Sequence, residues 1–154
     1  MARFIGVISD THGLLRPQAL TALREAALII HAGDIGNAEV LKGLRQIAPT
    51  VAIRGNVDTG PWSKELPSTE YVEFDKRAFY VLHDLAELDL DPPTAGFDAV
   101  ISGHTHQPKI KTKDGVLYVN PGSAGPRRFK LPISVGRLVI SGEGVQAEIV
   151  TLQV

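Results

Sequence analysis

Side chains able to bind metal ions occur in clusters along the chain, each directly after an apolar run. The clusters are Asp10-Thr11-His12, Gly33-Asp34, Gly55-Asn56-Val57-Asp58, His83-Asp84 and Gly103-His104-Thr105-His106. Carboxylate, imidazole and amide ligands suit Mn, Fe, Zn, Co or Ni better than calcium. The chain has no cysteine, which excludes disulfides, zinc–thiolate sites, iron–sulfur centres and thiol catalysis. The clusters therefore predict a metal centre with nitrogen and oxygen ligands alone.

The candidate ligands are too many for one tetrahedral ion. They are Asp10, His12, Asp34, Asn56, His83, His104 and His106. Such a set suits two divalent ions about 3.5–4 Å apart that share a carboxylate, as in two-metal hydrolases. Ions held in this way lower the pKa of a bridging water and neutralise charge on a phosphoryl oxygen. His31 stands outside the set, and it is either a hydrogen-bonded, half-buried histidine or a support for a ligand.

Strands and helices that could position these side chains alternate in the first third of the chain. Apolar runs at residues 4–8, 28–30 and 51–53 predict strands, and helical spacing predicts a helix beginning at Pro17 and another over residues 38–47. This alternation implies right-handed crossovers and a parallel sheet. Because the carboxyl ends of parallel strands face a common crevice, we expect the clusters to meet at one site.

The second half of the chain is predicted to be mostly β. Strands are expected around Tyr71 and Phe74 and over residues 79–82, 99–101, 116–119, 133–140 and 145–150. Only residues 87–90 suggest a helix, and Pro92-Pro93 is predicted to stop it. We therefore expect one mixed α/β domain over residues 1–154, a two-sheet β-sandwich with helices outside.

Composition limits the classes of function. The 154 residues include 16 basic and 17 acidic side chains, and 44% are hydrophobic. The net charge of -1 argues against strong nucleic-acid binding, and the hydrophobic fraction is enough for a core. The sequence contains neither a signal peptide nor a run of eighteen apolar residues. We therefore expect a cytoplasmic protein that does not act at a membrane.

The ordered motifs resemble those of the calcineurin-like metallophosphoesterase superfamily. The short chain, with Asn120-Pro121-Gly122-Ser123 after the last metal motif, resembles its small bacterial and archaeal phosphodiesterase branch, and the resemblance spans residues 4 to about 127. It implies a four-layer αββα fold and a binuclear phosphoesterase that cleaves small phosphodiesters, or monoesters, through a metal-bridging hydroxide. Manganese is the expected metal, with nickel, iron, zinc, cobalt or magnesium as alternatives. Small members are often dimers or tetramers, which implies a homodimer or homotetramer.

The same resemblance assigns roles to single positions. Asp10, His12 and His106 would bind the first ion, Asp34 would bridge both, and Asn56, His83 and His104 would bind the second. Catalysis would depend on Asn56, which also approaches the phosphate, on His104, and on Asp58, which would fix the loop that presents Asn56. Arg127 is a candidate phosphate contact within a basic cluster for which a solvated surface is the simpler explanation.

Two positions depart from the family pattern. Val57 stands where larger members carry a histidine that assists the leaving group, so we expect activated esters to be hydrolysed far better than alkyl phosphates. Asp84 stands where a glycine is usual. It is either a partner of a ligand histidine or a charge that repels an anionic substrate. Trp62 either lies exposed near Asp58 or covers an edge of the core.

Three other functions fit these motifs less well. A protein-interaction scaffold of the same fold, similar to a retromer subunit with a degraded metal site, is less favoured because every ligand position is filled. A metallo-β-lactamase-type hydrolase is set aside because it requires an early His-x-His-x-Asp-His motif. A nuclease of the favoured family is set aside because the chain lacks the length and positive charge expected for strong backbone binding.

Overall fold

A computed structural model describes residues 3–154. Met1 and Ala2 lie outside the described residues. They begin the segment in which no signal peptide is predicted. The strands are β1 (Arg3–Ile8), β2 (Leu28–His31), β3 (Thr50–Ala52), β4 (Thr69–Phe74), β5 (Arg77–Leu82), β6 (Ala99–Ile101), β7 (Lys109–Lys113), β8 (Val116–Asn120), β9 (Ser134–Ser141) and β10 (Gly144–Thr151). They form two five-stranded sheets, in the orders β10-β9-β1-β2-β3 and β4-β5-β6-β8-β7. This two-sheet, mixed α/β arrangement confirms the predicted fold class.

The helices are few and short. They are α1 (Pro17–Ala22), α2 (Ala38–Arg45) and α3 (Pro92–Ala95), with 3-10 turns at Pro61–Ser63 and Leu85–Glu87. The helix predicted over residues 87–90 is wrong, because only Glu87 of that range is helical, as the end of a 3-10 turn, and Pro92 and Pro93 begin α3. Proline is tolerated in a first helical turn, where its missing N–H has no intrahelical partner to lose. None of the helices in residues 3–154 is both long and apolar enough to cross a membrane.

The main core lies between the two sheets. Alternating side chains of β1 and β5 face it, among them Ile5, Val7, Phe79 and Val81, and all four are fully buried. The opposite face of the first sheet packs against α1 and α2 through residues such as Leu23 and Leu44. Every second side chain of these strands therefore faces the core, which is the periodicity that the sequence predicts.

β7 is the strand that the sequence did not predict. All five of its residues are exposed, and three of them are lysines. An edge strand needs no apolar face of its own because it is held by the ladder to β8, and charged side chains protect its open edge from pairing with other chains.

The parallel pairs set the position of the site. β1, β2 and β3 run parallel in one sheet, and β5, β6 and β8 run parallel in the other. The parallel sheet predicted for the first third of the chain is thus confirmed. The loops after these strands carry the predicted ligand clusters, and they meet at one edge of the sandwich.

Candidate metal centre

Two compact groups of ligand side chains form where these loops meet. Asp10, His12 and His106 make one group and Asp10, Asp34 and His83 the other, and within each group the potential ligand atoms lie within 4.8 Å of one another. The carboxylate of Asp10 belongs to both groups. Asp34 also reaches both, because its Oδ2 lies 3.2 Å from Nε2 of His83 and 3.8 Å from Nε2 of His12.

One oxygen of each aspartate is anchored and the other faces the histidines. Oδ2 of Asp10 accepts hydrogen bonds from the Ser9 hydroxyl at 2.8 Å and from the backbone N–H of His104 at 3.1 Å. Its Oδ1 lies 3.5 Å from Nε2 of His106 and 3.8 Å from Nε2 of His83. Asp34 repeats the pattern, since its Oδ1 accepts a bond from the Val57 N–H at 3.1 Å.

Two of the inward atoms lack hydrogen-bond partners within residues 3–154. Oδ1 of Asp10 and Nε2 of His83 are buried and make no hydrogen bond with any described residue. Buried polar atoms are rarely left unpaired, because doing so costs free energy. A carboxylate oxygen and an imidazole nitrogen that converge without partners are the donors that a divalent ion of the Mn–Zn series takes up, so these residues fit a metal.

Burial and hydrogen bonding shift the pKa values in the centre. Burial raises the pKa of Asp10 and lowers that of His106 to about 4. Although burial favours the uncharged form of Asp34, the close approach of His83 Nε2 and a hydrogen bond from the Val57 N–H lower its pKa to about 2. Burial likewise disfavours the charged form of His83, yet the nearby carboxylate of Asp34 and a hydrogen bond to the Ala32 carbonyl raise its pKa to about 9.

The ligand loops have an unusual backbone. Five predicted ligands adopt positive φ, at 56° for Asp10, 47° for His12, 55° for Asp34, 75° for His104 and 64° for His106. Such angles are uncommon for non-glycine residues, and they persist where the surrounding structure over-determines them. Here the first two loops bond to each other, as Asp10 N–H donates to the Gly33 carbonyl and His12 N–H to the Asp34 carbonyl, both at 3.0 Å.

Two glycines make room for the ligands. A Cβ on Gly33, whose φ is +100°, would lie 2.6 Å from Nδ1 of His83. A Cβ on Gly103 would lie 2.7 Å from Oδ2 of Asp10. Any side chain at either position would therefore displace a ligand, which explains why glycine precedes Asp34 and His104.

His104 and Asn56 lie at the rim and outside the two compact groups. The His104 side chain is 42% exposed, and its ring stands edge-on to that of His83 with 5.2 Å between centroids. Nε2 of His104 lies 3.8 Å from Oδ2 of Asp84, so Asp84 neighbours a predicted ligand histidine, which matches one of its two predicted roles. Asn56 is exposed and lines a cavity of about 580 Å³ together with His83 and Asp84.

Asp58 holds the Asn56 loop. Its buried carboxylate accepts hydrogen bonds from the N–H groups of Ile35 at 3.1 Å, Gly36 at 2.9 Å and Gly55 at 2.9 Å. These bonds tie the loop after β3 to the loop that carries Asp34. The loop-fixing role expected for Asp58 agrees with this geometry.

His31 is fully buried and braces the first two ligand loops. Its Nδ1 accepts a bond from the Gly33 N–H at 3.1 Å, so Nε2 carries the proton and donates to Thr11 Oγ1 at 3.0 Å. Burial lowers the pKa of His31 to about 3. The ring thus stays neutral and supports the ligand loops.

The predicted phosphate contact Arg127 is exposed and donates a hydrogen bond to the Leu131 carbonyl at 3.2 Å. The charge of its neighbour Arg128 lowers the pKa of His106, an effect second only to that of burial.

Ser9 and the Asn120-Pro121-Gly122-Ser123 turn support the centre. Asn120 donates to the Gly103 carbonyl at 2.9 Å, and Ser123 donates to the Asp10 carbonyl at 3.0 Å. Of Ser9 and this turn, only the turn was recognised as a motif in the sequence.

Trp62 packs against the core beneath α1 and α2 and is partly buried. Of its two predicted roles, this placement matches the cover for a core edge.

Comparisons with known proteins show which family this chain resembles. The family model of the calcineurin-like phosphoesterase superfamily domain matches residues 4–143. A probable metallophosphoesterase of Methanothermobacter thermautotrophicus is 37% identical over 95% of this chain and 91% of that protein. The solved structure of an archaeal phosphodiesterase superposes with a TM-score of 0.80 at 27% identity, over 97% of this chain and 99% of that one.

A second solved structure is similar in fold. Vacuolar protein sorting 29 of Cryptosporidium parvum superposes with a TM-score of 0.84 at 18% identity, over 99% of this chain and 92% of that one. With the family model matching most of the sequence and with a relative above one third identity, the chain belongs to the calcineurin-like phosphoesterase superfamily.

Proposed function

We propose that this protein is a metallophosphoesterase with a binuclear centre that hydrolyses phosphodiesters. The observation that carries the proposal is the Asp10 carboxylate, buried and shared by two groups of ligand side chains. Two divalent ions in such a centre supply a nucleophilic hydroxide near neutral pH and neutralise charge on the phosphoryl group. Manganese is the metal we propose first.

The proposed ligand sets follow the two groups, extended to the rim. One set is Asp10, His12, Asp34 and His106, and the other is Asp10, Asp34, Asn56, His83 and His104. In this proposal both Asp10 and Asp34 contact both ligand sets. The family resemblance instead assigned Asp10 to the first ion alone.

Substrate contacts are proposed for two residues at the rim. The Asn56 amide is exposed, and Asp58 holds its loop, so it can donate a hydrogen bond to a phosphoryl oxygen. The second residue is Arg127, whose exposed guanidinium can pair with a phosphate oxygen. Both donors would orient the phosphate.

A preference for activated esters is supported by the composition of the rim. Val57 is 46% exposed and cannot donate a proton to a departing oxygen. The proposed enzyme therefore depends on esters whose leaving groups are stable as anions. The proposal of diesters as substrates is supported by the similarity to an archaeal phosphodiesterase.

Reconstitution separates the enzyme from a scaffold of the same fold. Protein stripped with EDTA should not hydrolyse bis(p-nitrophenyl) phosphate, and added Mn²⁺ should restore activity. Asp10→Asn should lose at least a thousandfold, while Asp75→Asn, the same chemical change on an exposed turn, should match wild type. Metal uptake without turnover would favour the scaffold, and failure to bind metal would overturn the enzyme.

A further inference from the structure

A groove of about 540 Å³ runs from the metal centre along the outer face of the second sheet. Its inner end is formed by Asp84, Gly103 and Thr105, which neighbour the ligand loops. One wall is apolar, and the other wall carries three lysines of β7. We call it the lysine groove, and it is defined by Leu85, Leu88, Tyr118, Lys109, Lys111 and Lys113.

Strand register places the lysines in one row. In the antiparallel ladder Lys109 pairs with Asn120, Lys111 with Tyr118, and Lys113 with Val116. Residues directly opposite share a face, and alternate residues on a strand lie about 6.8 Å apart on that face. Because Asn120 bonds to the loop that carries His104, the row begins beside the centre and leads about 13 Å away from it.

The positive charge of this row is not compensated within residues 3–154. The ion pairs of the described residues include none of the three lysines. All three side chains are exposed. The apolar wall is accessible too, since Leu85 is 41% exposed and Leu88 and Tyr118 are only partly buried. The groove therefore presents cations and an apolar surface together.

The cavity on the other side of the centre has the opposite charge. The 580 Å³ cavity beside Asn56 is lined by the carboxylates of Asp84, Glu87 and Asp89, and its cationic lining residues are Arg54 and, in the metal-free protein, His83. Asp84 separates the two cavities; its Oδ1 accepts a bond from the Ala86 N–H and its Oδ2 faces His104. An anionic substituent on the substrate is repelled on the Asn56 side and attracted on the lysine side.

We infer that the lysine groove binds one arm of the substrate, and that this arm is a nucleotide. Its flat ring lies against Leu85, Leu88 and Tyr118, and its additional phosphates follow the lysine row. This inference rests on the proposed phosphodiesterase function, and it names the class of ester that the centre receives. The groove has the volume of a small-ligand site and combines apolar contact with a few charged groups, and nucleotides offer both the stacking face and the anions.

Binding to metal-free protein tests the groove apart from catalysis. Titration calorimetry in EDTA at low salt should detect saturable binding of ADP. Inorganic pyrophosphate and adenosine should each bind at least tenfold more weakly, since each fills only one part of the groove. Equal affinity for pyrophosphate and ADP would contradict the ring contact, and no binding of ADP would overturn the inference.

Charge reversal tests the location. The double variant with Lys111→Glu and Lys113→Glu should weaken ADP binding at least tenfold. The matched control with Lys42→Glu and Lys64→Glu changes the net charge equally at exposed lysines outside the groove, and it should bind ADP as wild type does. Equal losses in the two double variants would place the anion elsewhere.

The experiments distinguish a failure of the lysine-groove proposal from a failure of the proposed enzyme function. Turnover of bis(p-nitrophenyl) phosphate without ADP binding in EDTA would reject the groove and keep the enzyme. ADP binding without metal-dependent turnover would reject the enzyme and leave a nucleotide site on this fold.

Discussion

Nε2 of His83 lies 3.2 Å from Oδ2 of Asp34, inside one of the two ligand groups. Burial opposes charge on both side chains, but their close approach raises the pKa of His83 to about 9 and lowers that of Asp34 to about 2. At neutral pH the metal-free centre therefore holds an imidazolium–carboxylate pair. The proton of that pair occupies the Nε2 position that a metal ion needs.

Metal binding is predicted to release this proton. A ligand histidine must be neutral, and the pKa of His83 in the metal-free protein is about 9. Below that pH the apparent affinity for Mn²⁺ should rise as pH rises, by up to tenfold per unit. Calorimetry in buffers with different heats of ionisation measures the number of protons released. An affinity unchanged between pH 7 and 8.5 would contradict this prediction.

Asp58→Asn should destabilise the protein and impair turnover. The carboxylate accepts three backbone N–H bonds, and an amide presents one oxygen and two competing donors. We expect a loss of about 1–3 kcal/mol in the free energy of unfolding, measured with urea in EDTA. Asp91→Asn, at an exposed position, is the control and should stay within about 0.5 kcal/mol. Equal stability of the two variants would argue against the bracing role.

His31 should make stability depend on pH. Its pKa is about 3 in the folded protein and about 6.5 in an unfolded chain. Between these values the unfolded chain binds more protons, so stability rises with pH, by up to about 1.4 kcal/mol per unit, and is complete above about pH 6.5. His31→Gln should make the slope between pH 4.5 and 6.5 shallower, as measured by urea unfolding in EDTA. An unchanged slope would show that His31 does not titrate in this way.

Val57→His should improve the hydrolysis of poor esters. Val57 is exposed beside Asn56, and its backbone N–H, not its side chain, contacts Asp34. A histidine there can protonate the departing oxygen, and such help contributes about 10²–10⁴-fold. The dependence of kcat/KM on leaving-group pKa should be steep in wild type and shallower in the variant. Val57→Phe controls for size, and a flat dependence in wild type would contradict the prediction.

The fold could largely be predicted from the periodicity of apolar residues. Strands with buried alternate positions, such as Arg77–Leu82, carry a clear signal. β7 carries none, because an exposed edge strand is held by the ladder to β8 and not by burial. Pro92 and Pro93 misled the prediction because proline both ends and begins helices.

The candidate ligands could be predicted because each follows a strand that the sequence marks. Their supports could be predicted only in part. The sequence left the role of His31 open and did not mark Ser9, because both act through contacts with residues at or near Asp10 and Asp34. Such contacts exist only once the strands have paired. Arg128 and Arg127 are adjacent and identical in type, so only the structure separates the one that acts on His106 from the one bound to a carbonyl.

The most direct test of the central claim is the metal content and activity of Asp34→Ala. The side chain of Asp34 contacts a histidine of each ligand group, so its loss should affect both ions. Elemental analysis of reconstituted protein should give about two Mn²⁺ per wild-type chain and essentially none in Asp34→Ala, which should have lost bis(p-nitrophenyl) phosphate hydrolysis. A folded Asp34→Ala protein with full activity would contradict the binuclear centre.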